Sequence, residues 1–134
     1  MKGGYSYGER TVLSKLPNVT MASFGGSEFV DPANVKPEEI GQAELALAAA
    51  REAMLSSNYD LVVLDEINVA VAFKLVELEE VVKLIEDKPH SVELILTGRR
   101  ADSRLIQMAD LVTEMLNIKH PYDKGMLARK GIDY

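Results

Sequence analysis

Four consecutive apolar residues, Leu61-Val62-Val63-Leu64, run directly into Asp65 and Glu66. A short unbroken apolar run is the pattern of a strand buried in a parallel sheet, and it delivers both carboxylates to the sheet's carboxyl edge. Open α/β sheets bind ligands at that edge. Ser91 to Thr97 reads as a second such strand around Leu94-Ile95-Leu96, and Val19 to Phe24 alternates like a third. A different period appears after Pro37. With Glu38 and Glu39 behind it, Pro37 opens a helix whose apolar stripe is Ile40, Ala43, Leu47, Ala50 and Met54, stopped at Ser56-Ser57-Asn58. Glu77 to Asp87 is a second amphipathic helix, with Leu78, Val81, Val82 and Ile85 inward and Glu79, Glu80 and Lys83 outward.

The weaker patterns fill in the order. Glu9 to Leu16 makes a short helix stopped by Pro17-Asn18, and Ile67 to Leu75 is either a buried helical turn or a covering loop. Gly98-Arg99-Arg100 turns the chain into a helix reaching about Asp110, with Asp102 or Ser103 as its N-cap. Leu111 to Ile118 alternates well enough for an edge strand, and a basic, turn-rich tail is expected to cross the surface near the same edge. Strands alternating with helices over short links predict a three-layer α/β sandwich with a mostly parallel sheet, as one domain over residues 1–134.

Composition narrows the function. At 47% hydrophobic content the 134 residues can bury a real core. A net charge of −6 with scattered basic residues argues against a nucleic-acid surface. No apolar run approaches the length of a membrane span, and no apolar signal region follows Met1-Lys2-Gly3-Gly4, so a cytoplasmic protein without a membrane partner is expected. Zero cysteines remove disulfides, thiolate nucleophiles and cysteine metal sites.

Candidate chemistry concentrates at strand ends. Neighbours on a strand point to opposite faces, so Asp65 and Glu66 are not a facing acid/base pair; one acid reaching a metal, with its neighbour structural, is the better assignment. An ordinary polar strand end is the bland alternative. Arg99 and Arg100 follow the second strand, where guanidinium suits phosphate or carboxylate, although solvated surface arginines are commoner. Phe29 and Val30 are apolar residues in the polar loop 25–32, readable as a small satellite cluster. His90 and His120 have no partner spacing for a triad or a zinc site. His90 reads as a loop residue, whereas His120-Pro121-Tyr122-Asp123 brings polar and aromatic groups together.

Five motifs in order carry a resemblance. They are Lys2-Gly3-Gly4-Tyr5-Ser6-Tyr7-Gly8-Glu9, Val63-Leu64-Asp65-Glu66-Ile67-Asn68, Leu96-Thr97-Gly98-Arg99, Ala109-Asp110-Leu111-Val112-Thr113-Glu114-Met115 and Lys119-His120-Pro121-Tyr122-Asp123-Lys124-Gly125. Together they resemble the P-loop-class corrinoid adenosyltransferases, through to the closing Lys130-Gly131-Ile132-Asp133-Tyr134. The resemblance implies a P-loop NTPase fold of RecA-like type. It implies transfer of the 5′-deoxyadenosyl group of ATP to the cobalt of cob(I)alamin or a precursor, with release of tripolyphosphate, in cobalamin biosynthesis or salvage. Glu66 is then the magnesium ligand and Asp65 its support, both counted as catalytic, while Phe29, Asn68, Arg99 and His120 are cofactor-binding. Phe29 lies in the loop that packs near the corrin; Asp31 stands where some members carry a Trp. Magnesium with ATP, the corrinoid, a flavoprotein reductant and further copies of the chain are the partners implied.

One departure stands out. The family begins with a strand, a Gly-Lys-Thr phosphate loop, a helix and a second strand, and residues 1–8 lack that loop. An N-terminally truncated domain is expected, whether a natural or experimental fragment or a late gene start. It should oligomerise through its opened sheet or rearrange there, and bind magnesium-ATP weakly by itself. The alternative is a non-catalytic α/β assembly or corrinoid-binding module that has lost ATP binding.

Overall fold

The computed structural model describes residues 8–26 and 29–129. The entry motif up to Tyr7 and the closing residues 130–134 lie outside the described residues. In chain order the elements are α1 (Gly8–Leu13), α2 (Pro37–Leu55), β1 (Leu61–Leu64), α3 (Ile67–Ala72), α4 (Leu78–Glu86), β2 (Glu93–Leu96), α5 (Ser103–Met108) and a 3-10 turn, Pro121–Lys124. They fall into two compact units, one holding Ala22–Met108 and the other combining the described part of Tyr5–Met21 with residues 109–129.

The first unit is an α/β layer built on two parallel strands. β1 and β2 pair from Leu61 with Glu93 to Leu64 with Leu96. Both strands alternate exposed and half-buried residues, so Val62, Leu64, Leu94 and Leu96 face the core and Leu61, Val63, Glu93 and Ile95 face outward. Sequence reasoning expected an apolar run buried on both faces. Among the described residues one face is covered, and Leu61, Val63 and Ile95 remain 46–50% exposed.

Helix α2 follows its sequence signals closely. Pro37 sits in the first turn, and the Glu39 carboxylate accepts the Lys36 N–H at 2.8 Å, satisfying a donor the helix start leaves open. Its stop is equally local. The Ser56 hydroxyl donates to the Ala53 carbonyl at 2.7 Å and accepts from the Asn58 N–H at 3.2 Å, while Ser57 turns left-handed at φ 61°. Ala43, Leu47 and Ala50 pack on the core, and Met54 is fully buried.

The two core clusters meet along the sheet's inner face. One gathers Ile67, Val76, Val81, Val82 and Leu105; the other gathers Met54, Leu84 and Val92. Leu47 and Leu64 touch both. Helix α4 supplies Val81 and Val82 as expected, and also Leu84, which its stripe did not single out. On its outer side the Lys83 ammonium, hydrogen-bonded to Glu80 at 2.6 Å, is held above its ordinary pKa. Arg51 of α2 pairs with Asp87, and Arg104 of α5 pairs with Glu79, both on exposed surface where ion pairs contribute little.

Four expected elements change. Residues 19–24 make no strand among the described residues, and neither does Leu111–Ile118, whose Leu111, Met115 and Ile118 side chains are largely exposed. Alternation marks a surface suited to a sheet, but a strand exists only where a neighbour completes its ladder. Helix α5 ends at Met108, two residues short of expectation. The helix expected over 9–16 runs from Gly8 to Leu13 and is followed by turns at Ser14 to Leu16. In that second unit the 3-10 turn closes on Gly125, left-handed at φ 76°. No helix among the described residues is long and apolar enough to cross a membrane.

Candidate functional site

The carboxyl ends of β1 and β2 lie side by side, because the parallel ladder puts Leu64 opposite Leu96 and the Thr97 N–H donates to the Leu64 carbonyl at 3.1 Å. The next residues of each strand therefore meet. The Thr97 hydroxyl donates to Asp65 Oδ1 at 2.8 Å and accepts the Glu66 N–H at 2.9 Å. The Asn68 N–H donates to the Thr97 carbonyl at 3.1 Å, and Asn68 Nδ2 donates to the Gly98 carbonyl at 3.2 Å. Four hydrogen bonds thus lock the β1–α3 elbow onto the β2 end.

Expected to lie on opposite faces of a strand, Asp65 and Glu66 instead sit in the turn beyond it. Glu66 caps α3 in the left-handed region at φ 63°, a conformation that costs a non-glycine residue about 1 kcal/mol or more. Both residues are exposed, so their carboxylates reach solvent at the sheet edge. Asp65 is held by Thr97 and Glu66 is fixed through its backbone.

Gly98 makes the close approach feasible. Its φ is +117°, and a Cβ there would stand 3.2 Å from Glu66 Cα, 3.3 Å from Asn68 Cβ and 3.3 Å from the Val69 nitrogen. Asn68 is 6% exposed and its Oδ1 is buried without a hydrogen-bond partner, while the amide nitrogen is committed to Gly98. Arg99 and Arg100 follow. Arg100 is left-handed at φ 62°, with its guanidinium 5.8 Å from the centroid of the Phe73 ring.

Of the residues singled out from sequence, Asp65, Glu66 and Asn68 come together at this edge, and Arg99 follows Gly98 in the chain. Phe29 belongs to the same unit and is 81% exposed in the loop before α2. His120 belongs to the other unit, where its Nδ1 accepts the Tyr122 N–H at 3.1 Å and its own N–H donates to Asp123 Oδ2 at 3.2 Å. Lys119, His120, Pro121, Lys124 and Met126 line a shallow depression of about 400 Å³ there. Thr97 was missed as a functional residue. Its signal was a hydroxyl placed directly between an apolar strand and a glycine.

The donor set at the elbow is two carboxylates of hard oxygen, and no group of three or more potential metal-ligating side chains occurs among the described residues. Carboxylate oxygen is the ligand type magnesium takes, one or two at a time, with waters or phosphate oxygens in its remaining positions.

Comparison with known proteins decides the family. The family model described as ATP:corrinoid adenosyltransferase BtuR/CobO/CobP matches residues 1–134. The chain belongs to this family. A corrinoid adenosyltransferase of Sinorhizobium sp is 36% identical over 136 residues, covering all of this chain and 64% of that protein. Corrinoid adenosyltransferases of Pseudomonas aeruginosa and Escherichia coli K12 are 32% and 31% identical, again over all of this chain and over 66% and 67% of their own lengths. The chain therefore spans about two thirds of the length of these corrinoid adenosyltransferases.

Proposed function

We propose that this chain carries the carboxylate side of an adenosyl-transfer site, in which the cobalt(I) of a reduced corrinoid attacks C5′ of ATP. The cobalt–carbon bond forms as the C5′–oxygen bond breaks. Cobalt supplies the electron pair, passing formally from the +1 to the +3 state, and tripolyphosphate leaves with the pair from the broken bond. Magnesium, when bound, neutralises charge on the phosphate chain. Glu66 is its ligand from this chain, and Asp65 supports it. Arg99 is assigned to the nucleotide phosphates at the same edge, a task its planar fork suits. Asn68, buried and with its amide nitrogen committed to the Gly98 carbonyl, serves the nucleotide through the elbow it locks. Phe29, from the same unit as the elbow, is assigned to the corrin side. The chain's own contribution is to bind, orient and shield.

One observation carries the proposal: Asp65, Glu66 and Thr97 form a hydrogen-bonded elbow at the carboxyl edge of a parallel sheet, in a chain matched to the family over its whole length. A P-loop NTPase fold of three layers and a self-associating assembly fit the parallel strands and the half-exposed outer sheet face. We also propose that both units serve one domain, since the family match runs through residues of each. The corrinoid adenosyltransferase names of the relatives support the corrinoid substrate; cobalamin biosynthesis or salvage in the cytoplasm, with a flavoprotein reductant, is the setting we propose for it.

The test is adenosylation of chemically reduced cobalamin with saturating magnesium-ATP, followed by the light-sensitive spectrum of the product. Glu66→Gln should lower the rate by about 100-fold or more, the scale on which a group stabilising transition-state charge acts. Equal rates in parent and variant would refute the assignment. Corrinoid binding without turnover in the same assay would instead support a second reading, a non-catalytic α/β assembly or corrinoid-binding module.

A further inference from the structure

Thr97 makes two hydrogen bonds through one oxygen, and they have opposite senses. The oxygen accepts from the Glu66 N–H at 2.9 Å and its hydrogen goes to Asp65 Oδ1 at 2.8 Å. A hydroxyl has one proton, so donating to the carboxylate leaves its lone pairs for the amide, and both bonds are made together. The bond to an ionised carboxylate is of the stronger, charge-assisted kind.

The rest of the elbow cannot do this by itself. Glu66 is held at φ 63°, where a non-glycine residue stays only if its surroundings over-determine it. The Thr97 oxygen is the acceptor for the Glu66 amide, and the Thr97 carbonyl anchors Asn68 two residues on. Gly98 permits the approach with φ +117° but offers no side chain. Thr97 directly follows β2 and is partly buried, and its N–H donates to the Leu64 carbonyl, so its backbone is tied to the end of the sheet.

We propose that Thr97 is a positioning residue, whose hydroxyl holds the Asp65 carboxylate in one orientation and Glu66 in its left-handed turn, so that Glu66 presents its carboxylate to a cation with Asp65 in support. This rests on the proposal that Glu66 is a ligand of a divalent metal. Thr97 acts through its two partners, Asp65 and Glu66. A hydroxyl is required and the methyl is not.

Three variants of the full chain separate the roles, read by two-dimensional NMR during a manganese titration and by amide hydrogen exchange without metal. Thr97→Val keeps the shape and removes both hydrogen bonds. It should raise the manganese concentration that half-broadens the Asp65 and Glu66 amides by about 3- to 10-fold, and speed exchange of the Glu66 amide by a similar factor, the range expected for losing such a bond. Thr97→Ser should restore both to within about twofold. Thr97→Ala, which brings no second methyl into the site, carries the same test if valine disturbs the β1–β2 ladder. Unchanged titration and exchange in the valine or alanine variant would overturn the proposal, as would a serine variant that behaves like valine. Glu66→Gln is the separate control: if it leaves the broadening intact, the metal assignment fails, whatever Thr97 does to exchange at Glu66.

Discussion

At the scale of single residues, the site depends on three backbone and hydroxyl choices that a list of carboxylates would not reveal. Glu66 is left-handed, Gly98 lies in a region L side chains rarely adopt, and Thr97 bridges the two strand ends. Gly98→Ala should therefore cost about 1–3 kcal/mol, because the added Cβ meets backbone and Asn68 while φ stays positive. Urea unfolding of parent and variant measures it, and a cost under about 0.5 kcal/mol would show that the elbow relaxes freely. Asp65 and Glu66 were legible in the sequence as acids at the carboxyl end of an apolar strand, which is where the structure places them. Their arrangement was not. The sequence implied opposite faces of one strand, whereas the strand ends at Leu64 and a turn carries both acids. Asn68 was legible only through a family motif, since its buried, half-satisfied amide depends on the distant Gly98 carbonyl.

At the scale of elements, legibility followed locality. Helix α2 was read almost to the residue because Pro37, Glu39 and Ser56 fix its ends within four residues of themselves. Helix α4 was read from its apolar stripe, a period that also lies within the segment itself. The expected strands at 19–24 and 111–118 were not formed, since pairing is decided by what lies beside a segment and alternation says nothing of that. Gly41 offers a clean check on α2. It lies inside the helix with nothing within 4 Å of a built Cβ, so Gly41→Ala should stabilise the protein by about 0.5–1 kcal/mol. Met54→Ala, at the other end of the same helix and fully buried, should cost about 2–5 kcal/mol. Thermal melts of the two variants should move in opposite directions. A loss of stability on Gly41→Ala would mean that α2 needs its glycine for a neighbour outside the described residues.

At the scale of the molecule, the described chain presents a parallel pair of strands with one face packed and one half-exposed, and places two carboxylates where the strands end. Leu61, Val63 and Ile95 on the open face favour self-association, as exposed apolar sheet surface generally does. Light scattering should find the parent larger than one chain at micromolar concentration, and the pair Val63→Lys with Ile95→Lys should shift it toward monomer. A monodisperse parent monomer would contradict that. The central claim is that the β1 end is a divalent-cation site, and mapping manganese broadening over all assigned amides of the parent chain tests it most directly. Broadening should centre on Asp65, Glu66 and Gly98 and be reversed by excess magnesium. Broadening centred on other acidic stretches, such as Glu38-Glu39 or Glu79-Glu80, with Glu66 untouched, would contradict it.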